Sequence, residues 1–276
     1  MDLNEKVNQS IKLLKVVAST TDEPIELSYS GGKDSDVILR LAQMAGINYR
    51  VIYKNTTIDP PGTIKHCRDA GAEIIYPKLT FFDIIEKGGL PNRFARFCCS
   101  ILKEYKILDN AIQGIRRCES AKRAQRYTEP VICRNYSKKE HANIVLPILS
   151  WTNEDVKEFI KCEKIQCHPL YYKNGKFDVT KRLGCLGCPL QTNQVSDFIE
   201  YPRLLKLWIK AAEKWFNKER EKELATKSKF NNIYDLFVFY LFFENYSEFQ
   251  AKYYNTLFKQ PSCKQLLEDY FKIDLS

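Results

Sequence analysis

The 276-residue chain contains no uninterrupted apolar stretch near the roughly 18 residues that would cross a bilayer. A membrane partner is therefore not expected. Its opening, Met-Asp-Leu-Asn-Glu-Lys, lacks the apolar core and small-residue cleavage site of a secretory leader. A cytoplasmic setting is the default that follows. There is no internal repeat and no low-complexity segment, which excludes a solenoid or a disordered scaffold. In a reducing compartment disulfides are not expected either. The ten cysteines then have to be explained by packing, metal binding or redox chemistry.

What is present is an ordinary globular composition, 44% hydrophobic and 28% charged, in a chain long enough to bury a substantial core. Lys plus Arg number 43 against 34 Asp plus Glu, a formal charge of +9. That balance suits anionic ligands such as nucleotides, sulfate esters or nucleic acid, although composition alone does not localise it.

Hydrophobic periodicity gives the organisation. Val7, Ile11, Leu14 and Val17 recur at helical spacing, and Ile25 to Tyr29 reads as a short buried strand. Val37, Ile38, Leu41, Ala42 and Ala45 then mark a helix that Gly46 should cap. Tyr49 to Tyr53 is the next strand. A strand–loop–helix–strand unit of this kind builds parallel sheets, so the fold class expected is α/β. The alternation continues with a helix over Thr63 to Ala70, a strand over Glu73 to Tyr76 and a helix over Phe82 to Lys87. A helix over Ile101 to Asp109 and a strand over Ala111 to Ile115 follow. Thr152 and Asp155 form a capping box for a helix with an apolar face of Val156, Phe159 and Ile160. Beyond about residue 196 the chain turns to aromatic-rich helical runs such as Tyr234 to Phe243. The expected division is a nucleotide-binding domain over 1–195 and a helical extension over 196–276. Aromatics at helical spacing are usually core, though they could also form a docking face for a partner.

The most specific signal is Ser30-Gly31-Gly32-Lys33-Asp34-Ser35, set between a strand and a helix. Two glycines let the backbone turn tightly and bring its N–H groups close to an anion. The helix that follows adds the positive end of its dipole. Lys33 supplies a full charge, and Ser30 and Ser35 offer hydroxyl donors. Asp34 either holds the loop or helps to place Mg²⁺. The spacing differs from the longer Gly-x-x-x-x-Gly-Lys-Ser/Thr loop. It resembles instead the pyrophosphate loop of the ATP-pyrophosphatase superfamily, whose members cleave ATP between the α and β phosphates.

Two cysteine pairs form the second signal. Cys98-Cys99 and Cys185-Leu-Gly-Cys188 are separated by residues 100 to 184. A Cys-x-x-Cys turn presents two thiolates to one metal, and a second pair alongside completes four ligands. A 4Fe–4S cluster is preferred here, because adjacent cysteines are unusual ligands for zinc. Zinc and metal-independent burial of the thiols stay open.

With these residues in hand, the chain resembles the phosphoadenosine-phosphosulfate (PAPS) reductase family from about Ser28 to Trp215. The blocks that carry the resemblance begin with Ser30–Ser35, Thr56-Thr57-Ile58-Asp59-Pro60-Pro61 and Arg96-Phe97-Cys98-Cys99-Ser100-Ile101-Leu102-Lys103. They continue with Gly114-Ile115-Arg116 through Glu119-Ser120 to Arg123, then Pro147 to Trp151, Pro169-Leu170-Tyr171, and Arg182 to Pro189. The resemblance implies a mostly parallel sheet of five or six strands flanked by helices, the adenine-nucleotide α-hydrolase-like arrangement. It places a 4Fe–4S cluster on Cys98, Cys99, Cys185 and Cys188. It also places Thr57, Asp59, Lys103, Arg116, Glu119, Ser120 and Arg123 with the loop in the nucleotide or sulfate pocket. Lys33, Asp34 and Arg116 become the candidate catalytic groups.

Two departures from the family's reductases direct the functional expectation. Their phosphate loop is usually degenerate, whereas this one is intact. They also carry a Glu-Cys-Gly-type tail, whereas the one late cysteine here is Cys263, in Pro-Ser-Cys-Lys. The expected activity is therefore adenylation or sulfur transfer with release of pyrophosphate from Mg²⁺–ATP. Sulfonucleotide reduction is the first alternative and a non-catalytic nucleotide-binding module the second. A sulfur or electron donor protein is an implied partner, and a nucleic-acid acceptor is compatible with the charge.

Overall fold

The computed structural model describes residues 2–191, 194–221, 229–256 and 260–275. The chain divides into two compact units. One comprises residues 1–77 and 99–184, the other residues 78–98 and 185–276.

The first unit is built on a six-stranded sheet. Its strands are β1 (Ile25–Ser28), β2 (Tyr49–Lys54), β3 (Glu73–Ile75), β4 (Asn110–Ile112), β5 (Val131–Asn135) and β6 (His141–Val145), in the order β3-β2-β1-β4-β6-β5. All neighbours run parallel except β5, which pairs antiparallel with β6. The α/β class and the six-stranded, mostly parallel sheet agree with expectation. The first three strands proceed outward on one side of β1 and the later three on the other. The order therefore reverses between β1 and β4, and open α/β sheets form their ligand crevice at the carboxyl ends of such strands.

Burial explains these elements. Ile25 and Leu27 alternate inward along β1 and are 1% and 0% exposed. They join a core with Leu14 of α1 (Leu3–Ala18), with Val37, Ile38 and Leu41 of α2 (Lys33–Ala45), and with Val156, Phe159 and Ile160 of α7 (Asn153–Cys162). Burying each such side chain stabilises the fold by about 1.5–3 kcal/mol. Helix α1 starts on an Asp2–Glu5 capping box, and α7 on the expected Thr152–Asp155 box. Lys6 of α1 reaches Asp155 of α7 at 2.5 Å. Gly46 closes α2 with φ +63°, the left-handed cap that glycine adopts without strain. The other helices of this unit are α3 (Thr63–Asp69) and α6 (Ala121–Arg126).

Three elements differ from expectation. The helix expected over Ile101 to Asp109 instead spans Phe97–Leu102 (α5). The amides of Lys103 and Glu104 both turn back onto the Cys99 carbonyl, and the Tyr105 carbonyl accepts from Lys54 Nζ at 2.7 Å. The strand after it is Asn110–Ile112, shorter than Ala111 to Ile115. The β5–β6 hairpin was absent from the sequence reading altogether.

The second unit is helical. It contains α4 (Phe81–Gly88), α8 (Gln194–Glu200), α9 (Pro202–Glu221), α10 (Ile233–Phe242), α11 (Tyr246–Tyr253) and α12 (Cys263–Phe271). Trp208 of α9 anchors it, with ring centroids 4.8 Å from Phe81 and 5.5 Å from Phe198. Phe237 and Val238, inside the Tyr234–Phe243 run, are fully buried, so that run contributes to the core of its own unit. No helix among the described residues is long and apolar enough to cross a membrane.

Candidate functional site

The loop leaves β1 at the point where the strand order reverses. Gly31 turns the backbone with φ +72°, a conformation disfavoured for other residues. A β-carbon on Gly31 would stand 3.2 Å from Thr63 Cγ2 and 3.3 Å from Cys67 Sγ, so α3 backs the loop closely. Gly32 occupies the N-cap of α2 and supplies no side-chain cap. The backbone amides and helix dipole at this end are therefore not neutralised by a capping side chain. Inside the loop, Ser35 Oγ donates to the Gly32 carbonyl at 2.6 Å, and the amides of Ser35 and Asp36 return to the same oxygen.

A cleft of about 160 Å³ opens above this turn. Its walls include Ser30, Gly32, Lys33, Asp34 and Ser35 of the loop, with Glu119 and Arg123. These were all expected site residues. Ser28, Gly114, Tyr171, Arg182 and Leu183 also line it and were not singled out from the sequence. Four of them sit in the motif blocks that begin at Gly114, Pro169 and Arg182, so the signal was available. Ser28 could have been found from its place at the end of β1. Gly114 has a steric role, since a β-carbon there would stand 2.9 Å from the Asp34 carbonyl oxygen.

Charge at the cleft is predominantly positive. Lys33 has a side chain only 4% exposed; its Nζ reaches Asp34 and the Lys181 carbonyl at 3.3 Å and lies 5.4 Å from the Tyr171 ring centre. Burial lowers its pKa, and the nearby Arg116 and Arg182 act in the same direction against the pull of Asp34. Arg123 is also lowered, first by burial and then by Arg182. Glu119 collects two of these cations, pairing with Arg123 and, at 3.3 Å, with Arg182. Ser120 caps α6 by accepting from the Arg123 amide at 3.2 Å. An anion entering here would meet donors already held in place.

Arg116 lies beneath this surface. It is 1% exposed, donates from Nε to Asp34 Oδ1 at 2.7 Å, and donates from Nη1 to both Asn153 Oδ1 and the Cys118 sulfur. Asp34 is thereby engaged on both oxygens, by Arg116 and by Lys33. Thr57, Asp59 and Lys103 do not line the cleft. Thr57 takes φ +62°, with its amide on Asn55 Oδ1 at 2.7 Å. Asp59 accepts from the Tyr53 hydroxyl and from the Thr56 amide, so these residues shape the turn that follows β2. The Lys103 amide closes α5 on Cys99.

Cys98, Cys185 and Cys188 belong to the second unit and Cys99 to the first. The Cys185–Cys188 turn is stapled: Gly187 takes φ +69°, its amide donates to Asp197 at 2.7 Å, and Gln191 donates to the Cys185 carbonyl at 2.7 Å. Tyr240, in the same unit, has its hydroxyl pKa raised by burial and also by the nearby thiols of Cys188 and Cys98. Among the described residues, however, no three His, Cys, Asp or Glu side chains stand close enough to hold a metal.

A six-stranded, mostly parallel sheet with a Ser-Gly-Gly-Lys-Asp-Ser loop at its crossover, opening on a cationic cleft, defines an open α/β protein with a site suited to an anion. Residues 24–191 match the phosphoadenosine phosphosulfate reductase domain model, and the chain belongs to that family. It is 28% identical over 253 residues to the uncharacterised protein MJ0973 of Methanocaldococcus jannaschii, covering 82% of this chain and 59% of that protein. It is 27% identical over 206 residues to sulfate adenylyltransferase subunit 2 of Bacteroides thetaiotaomicron, covering 62% and 67% respectively. Among solved structures, the PAPS reductase of Candida auris in a phosphate complex superposes with TM-score 0.45 at 16% identity, over 64% of this chain and 88% of that one. The U34-tRNA thiolase NcsA of Methanococcus maripaludis, solved with its [4Fe–4S] cluster, superposes with TM-score 0.41 at 16% identity over 80% of each chain. The chain thus spans little more than half the length of the first of these relatives.

Proposed function

We propose that the chain binds Mg²⁺–ATP, or a related adenine nucleotide, at Ser30–Ser35 and activates an acceptor by adenylyl transfer. An oxygen of the acceptor forms a bond to the α-phosphorus, the bond from that phosphorus to the bridging oxygen breaks, and pyrophosphate leaves with the electron pair. The observation that carries this reading is the intact loop. Its serines, Gly32, Lys33 and Asp34 all line one cleft, which Arg123 and Arg182 also face.

The loop amides and the start of α2 would receive the departing pyrophosphate, and Lys33 would neutralise its charge in a site where burial strengthens the interaction. Lys33 is the catalytic group in this reading. Arg116 acts as a positioning residue that holds Asp34, and Asp34 in turn orients Lys33. Arg123 and Arg182 suit paired anionic oxygens of a phosphate or a sulfate. Mg²⁺ would arrive with the nucleotide. The sulfate adenylyltransferase subunit among the relatives is consistent with an oxyanion acceptor.

A 4Fe–4S cluster on Cys98, Cys99, Cys185 and Cys188, with zinc as the alternative, is a separate proposal that rests on the sequence motif. Sulfonucleotide reduction needs a nucleophilic tail thiol. Cys263 is 5% exposed, and burial followed by the nearby Asp235 pushes its thiol up to about 12. That environment disfavours the thiolate.

The deciding experiment measures pyrophosphate release from Mg²⁺–ATP across a panel of acceptors, beginning with sulfate and RNA. Acceptor-dependent release that Lys33→Ala abolishes supports the proposal. Tight nucleotide binding with no turnover of ATP or of sulfonucleotides would leave a binding module as the better description.

A further inference from the structure

The loop is bracketed by two residues that bond to each other. Tyr29 immediately precedes Ser30 and Asp36 immediately follows Ser35, and the Tyr29 hydroxyl donates to Asp36 Oδ1. His66 of α3 joins them, with Nε2 2.9 Å from the same carboxylate oxygen and 3.1 Å from the tyrosine hydroxyl. The Asp36 side chain is 5% exposed, and its second oxygen has no hydrogen-bond partner among the described residues. A buried carboxylate with one oxygen unmatched destabilises the fold unless its other contacts compensate. Filling space does not require a carboxylate at this position.

We propose that Tyr29, Asp36 and His66 form a latch that holds the two ends of the phosphate loop together, making all three positioning residues for anion binding. The contact network is consistent with this. Helix α3 presents Thr63 and Cys67 against the back of Gly31 and, on the same side, His66 to the latch. One helix therefore supports the middle of the loop by packing and its ends by hydrogen bonds. The edge of the His168 ring lies against His66, with centroids 5.7 Å apart, which limits how far the imidazole can swing. Burial, and then Asp36, keep the Tyr29 hydroxyl protonated and so a donor. The latch also borders a second cleft of about 540 Å³ on the side of α2 that carries Leu39, Arg40 and Gln43. That cleft gives His66 a route to solvent.

The inference rests on the loop being an anion cradle, so its test separates the two claims. Amide hydrogen exchange of the full chain without ligand is compared for wild type, Tyr29→Phe, Asp36→Asn and the double variant. A peptide covering residues 29–37 should exchange about 10-fold faster in each single variant, the scale expected for one lost hydrogen bond. The double variant should be no faster than the singles, because all remove one shared unit. Peptides from β6 and α7 should be unchanged. The Kd for Mg²⁺–ATP should rise in parallel in the same variants. Unchanged exchange at 29–37, or acceleration spread evenly over the unit, would overturn the latch. Failure of the wild type to bind Mg²⁺–ATP sinks the cradle instead, while the exchange result still decides the latch. If Asp36→Asn does not fold, His66→Gln, at a side chain 15% exposed, replaces it in the same comparison.

Discussion

Arg116 Nε stands 2.7 Å from Asp34 Oδ1, and the arginine is almost wholly enclosed. The site's most deeply buried cation therefore faces an aspartate of the loop and lies below the cleft wall. Removing it takes the partner from Asp34 Oδ1 and leaves only Lys33, on the other oxygen. Arg116→Ala should lower stability by about 3 kcal/mol, the scale of a broken buried pair, and should weaken nucleotide binding as well. Arg116→Lys should recover only part of this, because a lysine cannot bond Asp34, Asn153 and Cys118 together. Denaturant titration alongside nucleotide binding checks both statements.

Lys33→Ala should reduce pyrophosphate release by at least ~100-fold, as expected for loss of a preorganised donor to developing charge. The circular dichroism spectrum should be unchanged. Wild-type release rates in the variant would remove Lys33 from the chemistry.

The lowered pKa of Lys33 gives a pH dependence of definite sign. A bound anion favours the charged ammonium, so affinity is full below the pKa of the empty site and falls as pH rises through it. Because burial places that pKa below the ordinary lysine value, the fall should begin at lower pH than for an exposed lysine. Calorimetry in buffers of different ionisation enthalpy should detect net proton uptake on binding over that range. Proton release there would contradict the assignment.

Gly114→Ala tests how closely the segment after β4 approaches the loop. The added methyl would lie 2.9 Å from a backbone oxygen, so either the strand end or the loop must shift. A loss of about 1–3 kcal/mol is expected, together with weaker Mg²⁺–ATP binding. An unaffected Kd would mean the loop tolerates the shift.

For the cysteines, protein purified without oxygen should be brown and contain iron and acid-labile sulfide, and Cys185→Ser should lose both. A colourless protein holding one equivalent of zinc would overturn the cluster. Cys263→Ser, at a buried thiol pushed up to about 12, should leave any sulfite release from sulfonucleotides unchanged.

The parts of the protein legible in the sequence were those whose signals are local. The loop hexapeptide, the Gly46 cap and the Thr152–Asp155 box each place their own backbone, and all three stand where the pattern put them. Helix α5 lies earlier than expected, and the segment after it is held by a contact from far away in sequence, Lys54 Nζ on the Tyr105 carbonyl, that no local pattern announces. The β5 strand was missed even though Ile132 and Arg134 alternate with more exposed neighbours, because an edge strand carries a weak apolar signal. At the site, composition could count arginines but could not say that Arg116 would be enclosed while Arg123 and Arg182 face the cleft. That sorting depends on where Asp34 and Glu119 finish in space.

The walls of the cleft are drawn from widely separated parts of the chain, from Ser28 at the end of β1 to Leu183. β1 can pair with β2 once both have emerged, whereas its other edge must wait for the distant β4. During synthesis, therefore, strand pairing can begin well before a complete cleft can exist. On the proposed reading, a nascent chain should become able to retain a nucleotide only after Leu183 has cleared the ribosome.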